Sequence, residues 1–124
     1  VHFNNGLHGW EYTEDEYDAA FPDMIKAIRK NAPNAKLIWA TTTPIRTGKY
    51  RERLEERVAR IVTRNEIAQK HISKAKDIKT NDLFNLILDH PEYFIGGDGV
   101  HPIDKGYQVL AEQVAKKILE SLSE

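Results

Sequence analysis

Apolar residues along this chain follow two rhythms, and the changes of rhythm mark its elements. Val1-His2-Phe3 is short and β-prone and runs into the turn-forming Asn4-Asn5-Gly6, the pattern of a strand end. Thr13 with Glu16 three residues on makes a capping-box signature. Tyr17, Phe21, Met24, Ile25 and Ile28 then keep the three-and-four spacing of one helix face as far as Asn31-Ala32-Pro33. Pro22 inside this stretch predicts a kink or a split into two pieces. Lys36 to Thr42 reads as a mostly buried strand closed by Thr43-Pro44.

A helical period returns at Leu54, Val58, Ile61, Val62, Ala68 and Ile72. Its other face carries Arg51, Arg53, Arg57, Arg60 and Arg64 interleaved with Glu52, Glu55, Glu56 and Glu66. Interleaving of that kind predicts a solvated face laced with i,i+4 pairs rather than an anion-binding patch. A short strand is predicted around Ile78, then a compact helix through Leu83, Phe84, Leu86, Ile87 and Leu88, stopped by His90-Pro91. After a loop over 92–102 a last helix begins with Asp104 as N-cap and carries Leu110, Val114, Ile118 and Leu122 in register.

Strand and helix thus alternate three times, and the strands are too apolar for a sheet with one wet face. The expectation is an α/β fold with a parallel sheet covered by helices on both faces. Chemistry in such folds collects in the loops beyond the carboxyl ends of the strands. Residues 4–10 and 41–50 are loops of that kind, and 96–102 can reach the same edge.

Composition narrows the classes further. The 124 residues contain no repeat or linker-like tract and fit one domain or part of a larger one. Without cysteine there is no disulfide framework, thiolate nucleophile or Cys-based zinc site. The 18 basic and 19 acidic residues leave a net charge of −1, and no apolar run approaches the roughly 20 residues that span a bilayer. Neither a nucleic acid nor a membrane is expected as a partner. A chain that opens on Val1 rather than Met is read as a cleaved or trimmed product, and no compartment is read from it.

Three loops carry candidate chemistry. In Gly96-Gly97-Asp98-Gly99-Val100-His101-Pro102, a carboxylate and an imidazole stand three apart in a bend made pliable by glycine. That spacing can bring Asp98 to the Nδ1–H of His101, fixing the tautomer so that Nε2 takes a proton. The alternative is a glycine-rich turn whose Asp caps a backbone amide and whose His is merely exposed. In the second loop, Asn4 can donate to a developing oxyanion and Asn5 and His8 can line the same cleft, or Asn-Gly is only a turn. In the third, Thr41, Thr42 and Thr43 can bind a polar substrate and Arg46 an anionic group, or the threonines are simply at home in a strand. No phosphate-binding loop and no G-x-S-x-G elbow is present, and the five histidines do not fall at zinc-motif spacings.

Asp98-Gly99-Val100-His101-Pro102, followed by Asp104-Lys105-Gly106-Tyr107 and an amphipathic helix, resembles the closing block of the SGNH (GDSL-type) hydrolases. Val1-His2-Phe3-Asn4-Asn5-Gly6 resembles the block that carries an oxyanion-hole Asn in that family, with His2 in place of Gly and Asn5 in place of Asp. Lys36 to Pro44 and Asn81-Asp82-Leu83 resemble its fourth strand and pre-terminal segment. The resemblance covers essentially the whole chain as the C-terminal portion of one such domain, residues 1–124. It implies a three-layer α/β/α fold with a flavodoxin-like sheet whose N-terminal strands are missing here.

By the same resemblance, His101, Asp98 and Asn4 would be general base, orienting acid and oxyanion donor of a serine esterase. Asn5, His8, Thr43 and Arg46 would contact the substrate, a small-molecule or carbohydrate ester with a small acyl group such as acetyl. No metal or organic cofactor is implied. The Gly-Asp-Ser block with the nucleophile has no counterpart: Ser73, Ser121 and Ser123 are the only serines, and all lie in helix-like or terminal contexts. An upstream segment of the domain is therefore expected as partner, because its absence would leave an open strand edge and bare apolar helix faces. The rival expectation is a non-catalytic glycan- or protein-binding module on the same fold.

Overall fold

The computed structural model describes residues 1–4, 9–46 and 53–124. The elements run β1 (His2–Phe3), α1 (Glu14–Asn31), β2 (Leu37–Ala40), α2 (Leu54–Ile72), β3 (Ile78–Asn81), α3 (Leu83–Leu88), a 3-10 turn at Pro91–Phe94, and α4 (Asp104–Leu122). The strands form one parallel sheet in the order β1-β2-β3, with His2 opposite Ile38 and Leu37 opposite Ile78. The α/β parallel fold expected from the alternation is the one observed.

Parallel neighbours require crossovers, and α1 and α2 supply them. Leu37 and Trp39 turn toward these helices and pack with Phe21, Ala68, Ile72 and Ile78 into the larger core. Residues of opposite parity, His2, Lys79 and Asn81, face α4 instead. There Asn81 meets Gln113, while Ile87, Tyr93 and Phe94 pack against Val109 and Leu110 in a second, smaller core. All four residues of β2 are buried, as expected of a strand covered on both faces.

Several local expectations meet the structure directly. The Thr13–Glu16 capping box is formed in both directions: Glu16 N donates to Thr13 Oγ1 at 3.2 Å, and Thr13 N donates to Glu16 Oε2 at 2.8 Å. Pro22, however, does not split α1, which runs as one helix through it. Proline forfeits one backbone bond, and the burial of its neighbour Phe21 in the main core holds the turn. Asp104 is the first residue of α4 rather than its cap; Ile103 holds the cap position without a side-chain bond.

The arginine face of α2 also departs from expectation. Arg53 pairs with Glu56 one turn on, but Arg60 and Arg64 both reach Glu14 at the start of α1, and Arg64 is buried. The packing of α1 on α2 brings that carboxylate within reach, and spacing along α2 alone carries no record of it. Arg51 lies outside the described residues.

Among the described residues β1 pairs only with β2. On α4, Tyr107, Ile118 and Leu122 are exposed although they continue the stripe of the half-buried Leu110 and Val114. No described helix is long and apolar enough to cross a membrane.

Candidate active site

The carboxyl ends of β1 and β2, the loop at 96–102 and the turn at 9–12 surround a cleft of about 770 Å³. Its wall includes Asn4, Trp10, Glu11, Thr43 and His101, contributed by four separate segments.

The Asp98–His101 pair, whose imidazole lines this cleft, is built as its sequence spacing suggests. Asp98 Oδ2 lies 2.7 Å from His101 Nδ1. Its other oxygen, Oδ1, accepts from the backbone amides of Val100 and His101, both at 2.8 Å. One carboxylate therefore closes the bend and anchors the ring. Gly99 sits in the left-handed region at φ 78°, which lets the chain turn back onto Asp98. The His101 amide, the imidazole and the Val100 amide hold the Asp98 carboxyl well below the usual carboxylate range. An ionised Asp98 at Nδ1 fixes the proton there and leaves Nε2 as the basic nitrogen. The imidazole is 70% exposed, so its Nε2 is accessible to a reactant.

Two contacts fasten this loop to the scaffold. The backbone amide of Arg46, just beyond β2, donates to Gly99 O at 2.7 Å. At its other end, Gly106 packs where a side chain does not fit: a β-carbon there would lie 2.8 Å from Cβ of both Pro102 and Tyr93. Gly106→Ala is therefore expected to destabilise the fold by about 1–3 kcal/mol, read by urea unfolding. It should also displace Pro102 and with it the neighbouring His101.

Asn4 stands at the end of β1, with Nδ2 donating to Ala40 O at 2.6 Å and lying 3.3 Å from Thr42 Oγ1. The amide is thereby pinned across the ends of two strands, on the wall shared with His101. Thr43 lines the same cleft. Arg46 has a different task from the anion contact expected of it. Its Nη2 donates to the carbonyls of Ile87 and Leu88, closing the carboxyl end of α3, and its guanidinium lies over the Phe94 ring at 5.6 Å. Asn5 and His8 lie outside the described residues.

His2, which stands where the family pattern has Gly, also lines the cleft. Asn81, fully buried, accepts from Gln113 Nε2 at 3.2 Å and donates through Nδ2 to His2 Nε2 at 3.1 Å. A donor facing Nε2 requires the neutral ring, and burial, the larger cause, likewise lowers the His2 pKa. Sequence reading did not single out His2, Trp10 or Glu11 as cleft residues, although Trp10 closes the very loop to which it assigned chemistry.

The three serines are remote from this edge. Ser73 follows α2, and Ser121 and Ser123 close α4, each hydroxyl donating to a helix carbonyl one turn back. At 1.5 Å rise per residue, α4 alone places Ser121 roughly 25 Å from the His101 end. Among the described residues no group of His, Asp and Glu is arranged to hold a metal ion.

Residues 3–114 match the family model for GDSL-like lipases and acylhydrolases. The chain belongs to that family. Two solved structures share its fold, and the chain covers little more than half of each. One is the esterase domain of the ORF1 protein of a zebrafish retrotransposon, 22% identical, with a TM-score of 0.73 over 88% of this chain and 61% of that one. The other is a GDSL-like lipase from Bacteroides thetaiotaomicron, 21% identical, with a TM-score of 0.69 over 88% and 54%. No curated protein is similar enough to count as a relative. Membership in the GDSL-like family agrees with the resemblance of the Asp98–His101 block and of the strand at Asn4.

Proposed function

We propose that the complete protein is a serine ester hydrolase that removes small acyl groups, such as acetyl, from a carbohydrate or similar alcohol. The observation that carries this reading is the Asp98–His101 pair: a carboxylate oxygen 2.7 Å from Nδ1 of an exposed imidazole that lines the cleft. In the proposed reaction a serine hydroxyl attacks the ester carbonyl as His101 Nε2 takes its proton. The imidazolium, stabilised by Asp98, then protonates the departing alcohol, and water repeats the cycle on the acyl-enzyme.

Asn4 would contribute an N–H to the tetrahedral oxyanion by sharing or releasing its bond to Ala40 O. Thr43, Asn5 and His8 would contact the substrate. The chemistry calls on no metal or organic cofactor. The nucleophile would come from an upstream segment of the same domain, with residues 1–124 as its C-terminal portion. The edge of β1, which among the described residues pairs only with β2, and the exposed apolar stripe of α4 support that arrangement.

Exposure of the complete protein to a fluorophosphonate probe tests the reading. One serine upstream of Val1 should be labelled, and its labelling rate should fall steeply in His101→Ala. Absence of labelling together with absence of acetyl-ester turnover would favour a binding module.

A further inference from the structure

The turn at 9–12 is held far more firmly than an exposed connection requires. Arg57, Arg60 and Arg64 recur at helical spacing on one stripe of α2. Arg60 donates to Trp10 O at 2.8 Å and Tyr12 O at 2.6 Å, and Arg64 donates to Gly9 O at 3.0 Å and Tyr12 O at 2.7 Å. Both guanidiniums also bond Glu14 Oε1, at 2.7 and 3.1 Å. Burial would raise the Glu14 pKa, but these two arginines outweigh it and draw the carboxyl down, so it stays charged. The guanidinium carbons of Arg57, Arg60 and Arg64 lie 4.8, 4.9 and 5.7 Å from the centre of the Trp10 ring. Two arginines thus take the carbonyls of Gly9, Trp10 and Tyr12, and three flank one indole.

What this bracket presents is part of the cleft: Trp10 and Glu11 line it together with His101. We propose that Trp10 is the specificity-determining wall for the alcohol half of the substrate, stacking on a sugar ring, and that Arg60 and Arg64 are positioning residues that hold it ready. An indole beside the Glu11 carboxylate, with the Thr43 hydroxyl on the same cleft, matches a ring with apolar faces and hydroxyl edges. A purely aliphatic alcohol would offer these two groups no hydrogen-bond partner. Fixing the indole beforehand removes the entropy that binding would otherwise have to spend on ordering it. The inference rests on the hydrolase reading for the reaction, but its binding step can be measured without it.

The test uses the complete protein, ethyl acetate, an O-acetylated methyl glucoside and the unacetylated methyl glucoside. Trp10→Ala is expected to raise KM for the sugar ester about tenfold with little change in kcat, equivalent to about 1.4 kcal/mol. Its kcat/KM for ethyl acetate should fall far less than for the sugar ester, and an unchanged urea-unfolding midpoint shows that the variant folds. Trp10→Phe should restore most of the sugar affinity. Arg60→Ala should give the same KM effect in weaker form, and Arg60→Lys should not rescue it, because a lysine cannot span two carbonyls and a carboxylate.

Trp39 is 1% exposed, and the part of any fluorescence change on adding methyl glucoside that is lost in Trp10→Phe reports Trp10, whatever other tryptophans the complete protein carries. Equal losses on both esters in Trp10→Ala, or unchanged KM for the sugar ester, would overturn the assignment while leaving the hydrolase reading intact. Sugar-dependent fluorescence in a protein that cleaves neither ester would uphold the wall and overturn the hydrolase.

Discussion

His101→Ala in the complete protein is expected to lower kcat for an acetyl ester by about 10⁴-fold or more, with KM within a few-fold of wild type. The imidazole would supply the base that takes the proton of an attacking hydroxyl, so its loss removes stabilisation made in the transition state and little made in the ground state. Its exposure makes the experiment clean. A side chain 70% exposed contributes no core packing, so only its bond to Asp98 is lost and the unfolding midpoint should move little. Steady-state kinetics on ethyl acetate, with a denaturation curve on the same sample, read both halves. Hydrolysis undiminished in this variant would remove His101 from the mechanism.

Asp98→Asn should cost about as much, near 10⁴-fold in kcat, for a different reason. Oδ1 of the new amide can still accept from the Val100 and His101 amides, so the bend should survive. In place of Oδ2, however, stands an NH₂ group facing Nδ1. A donor there moves the ring proton to Nε2, the nitrogen that must be bare to act as base. Nitrogen-15 NMR of His101 should show the tautomer reversed while the amide shifts of 96–102 change little.

Asp98→Ala would lose the bend as well and so separates orientation from loop closure. The lowered pKa of Asp98 carries its own consequence. A depressed carboxylate stabilises the folded loop above its ordinary pKa, and the contribution is lost only as pH falls through the lowered value. Asp98 is therefore ionised throughout any practical assay range, and the acid limb of the pH–rate profile belongs to another group.

Much of this architecture was legible because it is local. The capping box at Thr13, the apolar stripes of α1 and α2 and the buried strand at Leu37–Ala40 each follow from the spacing of neighbours, and all three formed. The Asp98–His101 contact belongs with them: three residues in a glycine bend leave few other places for the carboxylate. Where local rules pulled apart, burial decided. Pro22 argued for a kink or a break, but Phe21 next to it reaches the main core, and α1 is not broken. The arginines of α2 show the reverse failure. Alternating charge along a helix describes a solvated face only if nothing packs beside it, and here Glu14 and the carbonyls of 9–12 do.

Sequence by itself determined the class of fold, the order of its elements and the acid–imidazole pair, because hydrophobic period and short-range geometry are properties of neighbouring residues. Only the tertiary structure decided what the pair looks out upon. It tied Arg46 to Gly99 and α3, set Arg60 against Trp10 from 50 residues away, and joined His2 to Asn81 across 79. Hydrogen bonds of that range depend on where strands end in space. Parallel pairing brings those ends to one edge, and no periodicity along the chain records which loops will meet there.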